Sequence, residues 1–138
     1  MAGGRGSGDE LLAGGVTAVL HEIVELLERL AATGEGGAID LRSLPMAPGD
    51  HEHLRSALGE GEVSASFDAL GPTRVRETGV AGVWWIEHRN AHGETLTELI
   101  EVTEVPEILA AARQDIGAAA QALRARLGVS GRDDETSR

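Results

Sequence analysis

The chain has no cysteine and no tyrosine, and it contains one phenylalanine and two tryptophans among 138 residues. Without cysteine it cannot form disulfides, hold an iron–sulfur cluster through thiolates, build a cysteine-based zinc site or use a cysteine nucleophile. Because aromatic side chains are so few, Phe67, Trp84 and Trp85 supply most of the large-ring surface that folding can bury. The adjacent tryptophans are therefore the first side chains to place in the fold.

Lysine is also absent, because all twelve basic residues are arginine. Acidic residues number 23, which gives a formal net charge of −11. This balance argues against nucleic acid as a partner, since phosphates require a basic surface. The glycine-rich start has no apolar segment typical of a secretory signal, and no apolar run approaches the roughly 18 residues that suggest a membrane span. The composition predicts a cytoplasmic protein with no membrane partner.

Hydrophobic periodicity predicts a long helix at each end of the chain. Apolar residues recur at helical spacing over 16–30, with Gly34 suited to the residue after the helix, and again over 108–127 after Pro106. A short helix begins near Pro48 and ends at Gly59. The expected organisation is a flexible tail at 1–8, a single domain over 9–128 and a disordered tail at 129–138.

A period of two predicts an antiparallel sheet between the long helices. The predicted strands cover 38–41, 63–67, 73–78, 83–89 and 94–102. Asn-Ala-His-Gly at 90–93 has the turn chemistry of a hairpin. We therefore predict an α+β fold, in which an antiparallel sheet of about four strands forms a meander with a tryptophan-bearing hairpin. Two long helices and a short helix are expected to pack mainly on one face of this sheet.

Neighbouring residues on a strand point to opposite faces, so Trp84 and Trp85 should point apart. In one register of the hairpin, Trp84 shares its face with Leu99. The face of Trp85 then carries Leu96, Glu98 and Ile100. Either the second indole packs under the C-terminal helix or a loop, or it forms a docking surface for a second copy or a client protein. The docking alternative draws on the enrichment of tryptophan at the centres of interfaces.

The sequence offers no set of side chains that combines a nucleophile, a base and an orienting group. Serine-hydrolase, phosphate-loop and dinucleotide motifs are missing. His51 and His53 lie two positions apart on the predicted short helix and point roughly 200° apart, so they cannot chelate a metal as a pair. His88 and His92 bracket the hairpin turn and could bind a metal only with a more distant ligand. We therefore expect no catalytic residues, no cofactor and no metal.

An acidic run follows the hairpin turn and contains no basic side chain. Its carboxylates are Glu94, Glu98, Glu101, Glu104 and Glu107. Such a run is either a solvated edge that discourages edge-to-edge strand pairing, or an acidic surface for an arginine- or lysine-rich partner segment.

Four segments, in order along the chain, resemble one known family: GEGGAIDLRSLPM, LGEGEVSA, ETGVAGVWWIEHRNAHGE and LIEVTEVPEIL. From about Val16 to Leu127 the sequence is similar to the C-terminal conserved region of the HupH family of hydrogenase expression proteins, which includes HyaF and HoxQ. The resemblance implies a non-catalytic accessory protein, or chaperone, in the maturation of an uptake [NiFe]-hydrogenase. It further implies that the iron–sulfur small subunit or its precursor is the partner.

The hairpin and the acidic run together supply the residues expected to bind a partner. They are Trp84, Trp85, His88, Arg89, Glu94, Glu98 and Glu101. A homodimer could use the same surface. The alternative function is a homodimeric structural protein or a metal-binding accessory protein that uses His88 and His92.

Overall fold

The computed structural model describes residues 14–68 and 71–136, with side chains as far as residue 128. The chain forms two compact units, one ending at Pro106 and one beginning at Glu107. This division falls inside the range 9–128 that was expected to form one domain. The predicted flexible tail at 1–8 lies outside the described residues.

The first unit combines two helices with one antiparallel sheet. Its helical elements are α1 (Gly15–Thr33), a 3-10 helix (Leu41–Ser43) and α2 (Asp50–Leu58). Its strands are β1 (Gly37–Asp40), β2 (Ser64–Asp68), β3 (Pro72–Glu77), β4 (Val83–Arg89) and β5 (Thr95–Val102). The strand order is β1-β5-β4-β3-β2, and every neighbouring pair is antiparallel. The predicted α+β fold with a meander is confirmed, with five strands in the described residues rather than about four.

Helix α1 forms where the apolar stripe predicts it, and it ends at the expected glycine. Val16, Val19 and Ile23 recur at helical spacing and are buried. Gly34 adopts the left-handed conformation (φ 81°), and its N–H donates to the carbonyl of Leu30. A residue with a Cβ adopts this backbone conformation at a cost, which explains why glycine ends the helix.

The main core lies between these helices and one face of the sheet, which we call the helix-covered face. That face contributes Val83, Trp85, Ile100 and Val102, and α2 contributes Leu54 and Leu58. Fully burying a large apolar side chain of this kind stabilises the fold by about 1.5–3 kcal/mol. On the opposite face, Val75, Trp84 and Ile86 are also buried. Both faces of the sheet therefore hold buried apolar side chains.

Of the registers that the sequence allows, the hairpin of β4 and β5 has the one in which Trp84 shares its face with Leu99. Trp85 pairs with Ile100, and Ile86 pairs with Leu99, so Trp84 and Trp85 do lie on opposite faces. The pairing shifts between His88 and Arg89, where a bulge leaves Leu96 without a cross-strand partner. Leu96 is 51% exposed, since it lies at the bulged end of the hairpin.

The second unit contains a 3-10 helix (Glu107–Leu109) followed by α3 (Arg113–Thr136). The predicted last helix therefore begins after a short 3-10 turn and not directly at Pro106. It continues past Gly128 into the range 129–138, for which a disordered tail is predicted. The apolar side chains of its stripe are more than half exposed at Ile116, Leu123 and Leu127. In the described part of the chain, we find no helix with the length and apolar character needed to cross a membrane.

Candidate functional site

Glu98 is an acidic side chain held in the interior beneath α2, with only 8% of its surface exposed. Its Oε2 accepts a hydrogen bond from the indole Nε1 of Trp85 at 3.0 Å and one from the guanidinium of Arg55 at 3.4 Å. Its Oε1 lies 3.2 Å from Nε2 of His51. A buried carboxylate needs such partners, because it has lost its hydration. We call these four residues the Glu98 cluster.

Helix geometry and strand register bring the Glu98 cluster together. His51 and Arg55 are four residues apart on α2, so both side chains reach the same side of the helix. Leu54 lies between them in the sequence, and its buried side chain anchors α2 in the core. On the sheet, Trp85 pairs directly with Ile100, and Glu98 is the diagonal neighbour two residues away on the same face. The contacts therefore link α2 to β4 and β5.

Arg55 also stacks on the tryptophan. Its guanidinium carbon lies 4.5 Å from the ring centroid of Trp85. Its side chain remains 35% exposed, so this cation–π contact is worth about 0.5–1 kcal/mol. The Arg55 guanidinium thus lies against an aromatic face and a carboxylate while remaining in reach of solvent.

Arg55 lines two cavities. The first has a volume of about 270 Å³ and lies among the loop at 59–63, β3 and the Trp85 ring, with Arg76 in its wall. The second is an open basin of about 610 Å³ between α2 and the segment at 41–46, with Glu98 in its wall. A ligand in either cavity would meet the Arg55 side chain.

The wall of the first cavity is fixed by a close backbone approach at Gly61. Its N–H donates to the carbonyl of Glu77 at 2.9 Å, and a Cβ at this position would lie 2.5 Å from the carbonyl oxygen of Thr78. The Glu77 carboxylate accepts from the backbone N–H groups of Glu62 and Val63, each at 3.3 Å. Only glycine fits here without a backbone shift, so the loop is held against the end of β3.

Both tryptophans predicted to bind a partner are buried. Trp84 is 6% exposed and Trp85 is 4% exposed. The indole N–H of Trp84 donates to the carbonyl of Thr103 at 3.2 Å, and that of Trp85 donates to Glu98. Of the two interpretations of the second indole, the structure shows the one in which it packs inside the protein.

The predicted histidine pair is not assembled into a metal site. His88 lies on the opposite face of the sheet, where its Nδ1 is 2.6 Å from the hydroxyl of Thr73. His92 lies in the exposed turn, and its backbone N–H donates to the side-chain oxygen of Asn90. Within 14–68 and 71–136 there is no group of three or more histidine or carboxylate side chains placed to hold a metal ion.

The remaining predicted residues are divided between the turn end of the hairpin, where Arg89 and Glu94 lie, and the two faces of the sheet. Arg89 forms an ion pair of 3.2 Å with Glu87 at the end of β4. Strand alternation places Glu98 on the helix-covered face and Glu101 on the opposite face, beside Trp84 in register. Trp85 and Glu98 are thus joined by a direct hydrogen bond, and Glu98 and Glu101 of the acidic run lie on opposite faces of the sheet.

Two members of the Glu98 cluster were missed by sequence reasoning. His51 was considered only together with His53, and Arg55 was not singled out. The available signal was the spacing of four between His51 and Arg55 on a predicted helix. Their common partner lies 43 residues beyond Arg55, which no local pattern indicates.

Comparison with known proteins identifies the family. Residues 14–130 match the family described as HupH hydrogenase expression protein, C-terminal conserved region. The hydrogenase expression/formation protein HoxQ of Azotobacter vinelandii is 33% identical over 108 residues, which cover 77% of this chain and 38% of that protein. HupH of Rhodobacter capsulatus is 34% identical over 116 residues, or 82% of this chain and 42% of that protein. The chain thus spans about two fifths of the length of these relatives.

A solved structure extends the agreement to three dimensions. The hydrogenase expression protein HupH from Thiobacillus denitrificans is 47% identical, with a TM-score of 0.79. The similarity covers 83% of this chain and 96% of that chain. Sequence and fold therefore agree over most of this chain, and the chain belongs to the HupH family of hydrogenase expression proteins through their C-terminal conserved region.

Proposed function

We propose that this chain acts in the cytoplasm as a non-catalytic accessory protein, or chaperone, in the maturation of an uptake [NiFe]-hydrogenase. In this proposal it binds the iron–sulfur small subunit or its precursor. The observation that carries it is the family match over residues 14–130, since the relatives are named hydrogenase expression/formation proteins. The lack of cysteine favours binding a client over holding a cluster, because protein-bound clusters are usually ligated by thiolates.

In this proposal, a client contacts only those hairpin residues whose side chains are exposed. Trp84 and Trp85 are buried, so in this proposal they support the hairpin and do not contact the client. Arg89 and Glu94 are exposed at the turn end of the same hairpin. Asn90 holds that turn in shape, because its side chain accepts from the N–H groups of His92 and Glu94. We therefore place the client contact at the turn end of the hairpin.

Capture of the client from cells tests this proposal. A tagged chain expressed in cells that make a [NiFe]-hydrogenase should recover the small subunit or its precursor. The double variant Arg89→Ala/Glu94→Ala should reduce that recovery. The matched control is Arg29→Ala/Glu35→Ala, which removes an exposed ion pair of 2.8 Å at the other end of the fold and should leave recovery unchanged.

The result that overturns the proposal is a folded chain that recovers no hydrogenase subunit. Circular dichroism of the recovered bait establishes that it is folded. Light scattering at several protein concentrations separately tests the homodimer. A dimer that still captures the small subunit is compatible with the proposal, whereas a dimer that captures none supports a structural role.

A further inference from the structure

The first unit is strongly acidic, yet four of the six arginines in residues 14–106 line two neighbouring depressions beside β3 and β4. Residues 14–106 contain six arginines. Two of them, Arg55 and Arg76, line the cavity beside the loop at 59–63. Two more, Arg74 and Arg89, line a separate depression further along β3 and β4, which is distinct from the two cavities described above. We call these four residues the arginine strip.

The strip lies on a polar half of the helix-covered face. Arg76 is the cross-strand partner of Trp85, so Arg74 and Arg76 point to the side where α2 lies. Their partners on the edge strand β2 are Ser66 and Ser64. Arg74 and both serines are exposed, and Arg76 is half-buried. Over β2 and β3 this face therefore presents arginine and serine side chains to solvent.

Two guanidiniums in the strip have no ion-pair or hydrogen-bond partner among the residues that the structure describes. Arg55 contacts Glu98 and Arg89 contacts Glu87. Within the described residues, by contrast, the side chains of Arg74 and Arg76 form no ion pair and no hydrogen bond. Each guanidinium has five N–H donors in a planar fork that matches a carboxylate. In a chain of net charge −11, two neighbouring arginines that form no ion pair within the described residues indicate an anionic ligand from outside.

We propose that the arginine strip binds an extended acidic segment of a partner protein that carries carboxylates at alternate positions. Arg74 and Arg76 are two residues apart on β3, so their side chains are spaced by about 7 Å along the strand. An extended peptide repeats at the same distance, so carboxylates two residues apart can each meet one guanidinium. The exposed hydroxyls of Ser64 and Ser66 lie beside them as further donors. The strip shares Arg89 with the client contact proposed above, but this inference rests on Arg74 and Arg76 and does not require the partner to be a hydrogenase subunit.

The surroundings of the strip favour a short peptide segment over a nucleic acid. Glu60, Glu62 and Glu77 line the first cavity, and Glu87 lines the depression that Arg74 and Arg89 share. A long polyanion would leave the strip and run against this acidic surface, whereas a few carboxylates remain within reach of the arginines. The charge pattern therefore limits the length of the anion as well as its sign.

Peptide binding to the whole chain tests this proposal. The probe is a labelled, end-blocked peptide of alternating serine and glutamate, and the reference peptide has glutamine in place of glutamate. Fluorescence anisotropy at low salt should show binding of the glutamate peptide only, and added sodium chloride should weaken it. The variant Arg74→Gln/Arg76→Gln should bind about tenfold more weakly, with about a threefold loss for each single change.

The matched control is Arg29→Gln/Arg42→Gln, which removes the same charge from residues outside the strip. Its affinity should stay within about twofold of the unaltered chain. Equal weakening by the two double variants would assign the binding to overall charge and overturn the proposal. No preference for glutamate over glutamine would also overturn it. Circular dichroism checks that both double variants are folded, and Arg74→Lys/Arg76→Lys, which keeps the charge, should retain most of the binding.

Two further measurements test whether a nucleic acid or a second copy of the chain, and not a peptide segment, occupies the arginine strip. A single-stranded oligonucleotide with the same number of charges should bind more weakly than the glutamate peptide; tighter binding would overturn the assignment to a peptide. Light scattering tests a second copy as the occupant. If the chain self-associates and Arg74→Gln/Arg76→Gln abolishes that association, the occupant is a second copy and the assignment to a separate partner is wrong.

Discussion

The indole N–H of Trp85 donates a 3.0 Å hydrogen bond to the carboxylate of Glu98 across the strands β4 and β5. The direct cross-strand partner of Trp85 is Ile100, so this bond runs diagonally to the residue two positions earlier. It places a carboxylate under α2, where His51 and Arg55 supply its other contacts. Helix α2 is therefore joined to the sheet by polar contacts as well as by the apolar packing of its leucines.

Removing the carboxylate should destabilise the fold. Glu98→Ala leaves the Trp85 N–H buried without its acceptor and Arg55 without its counter-ion, and it should lower the free energy of unfolding by about 2 kcal/mol. Glu98→Gln keeps an acceptor for the indole, so it should lower the free energy of unfolding by about half as much as Glu98→Ala. Urea denaturation followed by circular dichroism measures both. Glu104→Ala, at an exposed position, is the control and should stay within about 0.5 kcal/mol of the original chain. Equal stability of the two alanine variants would show that the contacts contribute nothing.

Both indoles should be shielded from solvent in the folded protein. Trp84→Phe leaves Trp85 as the single reporter, and Trp85→Phe leaves Trp84. Because each indole is almost fully buried, acrylamide should quench the tryptophan fluorescence of each folded variant several-fold less than that of the same variant unfolded in urea. Strong quenching of either folded variant would contradict the structure and restore an exposed tryptophan as a docking group.

Much of the fold could be predicted from the sequence because it depends on local patterns. Strand alternation predicts the opposite orientations of Trp84 and Trp85, and the turn chemistry predicts the hairpin, but a slip of one residue would change its register. Burial of the second indole depends on what packs over its face, which a strand pattern does not encode. Glu98 is expected among the partner-binding residues, although one register of the hairpin places it on the same face as Trp85. The structure has that register and buries Glu98 there, with 8% of its surface exposed.

The arginine over the tryptophan ring should couple energetically to the carboxylate. Arg55→Met keeps most of the apolar stem but removes the cation–π contact and the ion pair, so it should destabilise by about 1 kcal/mol. In a double-mutant cycle with Glu98→Gln, the two changes should be non-additive by about 0.5–1 kcal/mol, since both remove the same interaction. Additive effects would show that Arg55 and Glu98 act independently despite their 3.4 Å separation.

A methyl group at Gly61 should disturb the wall of the first cavity. Its Cβ would lie 2.5 Å from the Thr78 carbonyl oxygen, so the backbone of the loop or of β3 has to shift, and Gly61→Ala should destabilise by about 1–3 kcal/mol. Gly117→Ala adds the same methyl group to α3, where no described atom beyond the adjacent helix backbone lies within 4 Å, and should raise helix stability by about 1 kcal/mol. The midpoint of thermal unfolding, measured by circular dichroism, should therefore fall for Gly61→Ala and rise for Gly117→Ala. If Gly61→Ala unfolds no earlier than the original chain, the loop is not held against β3, and the first cavity has no fixed wall beside Arg76.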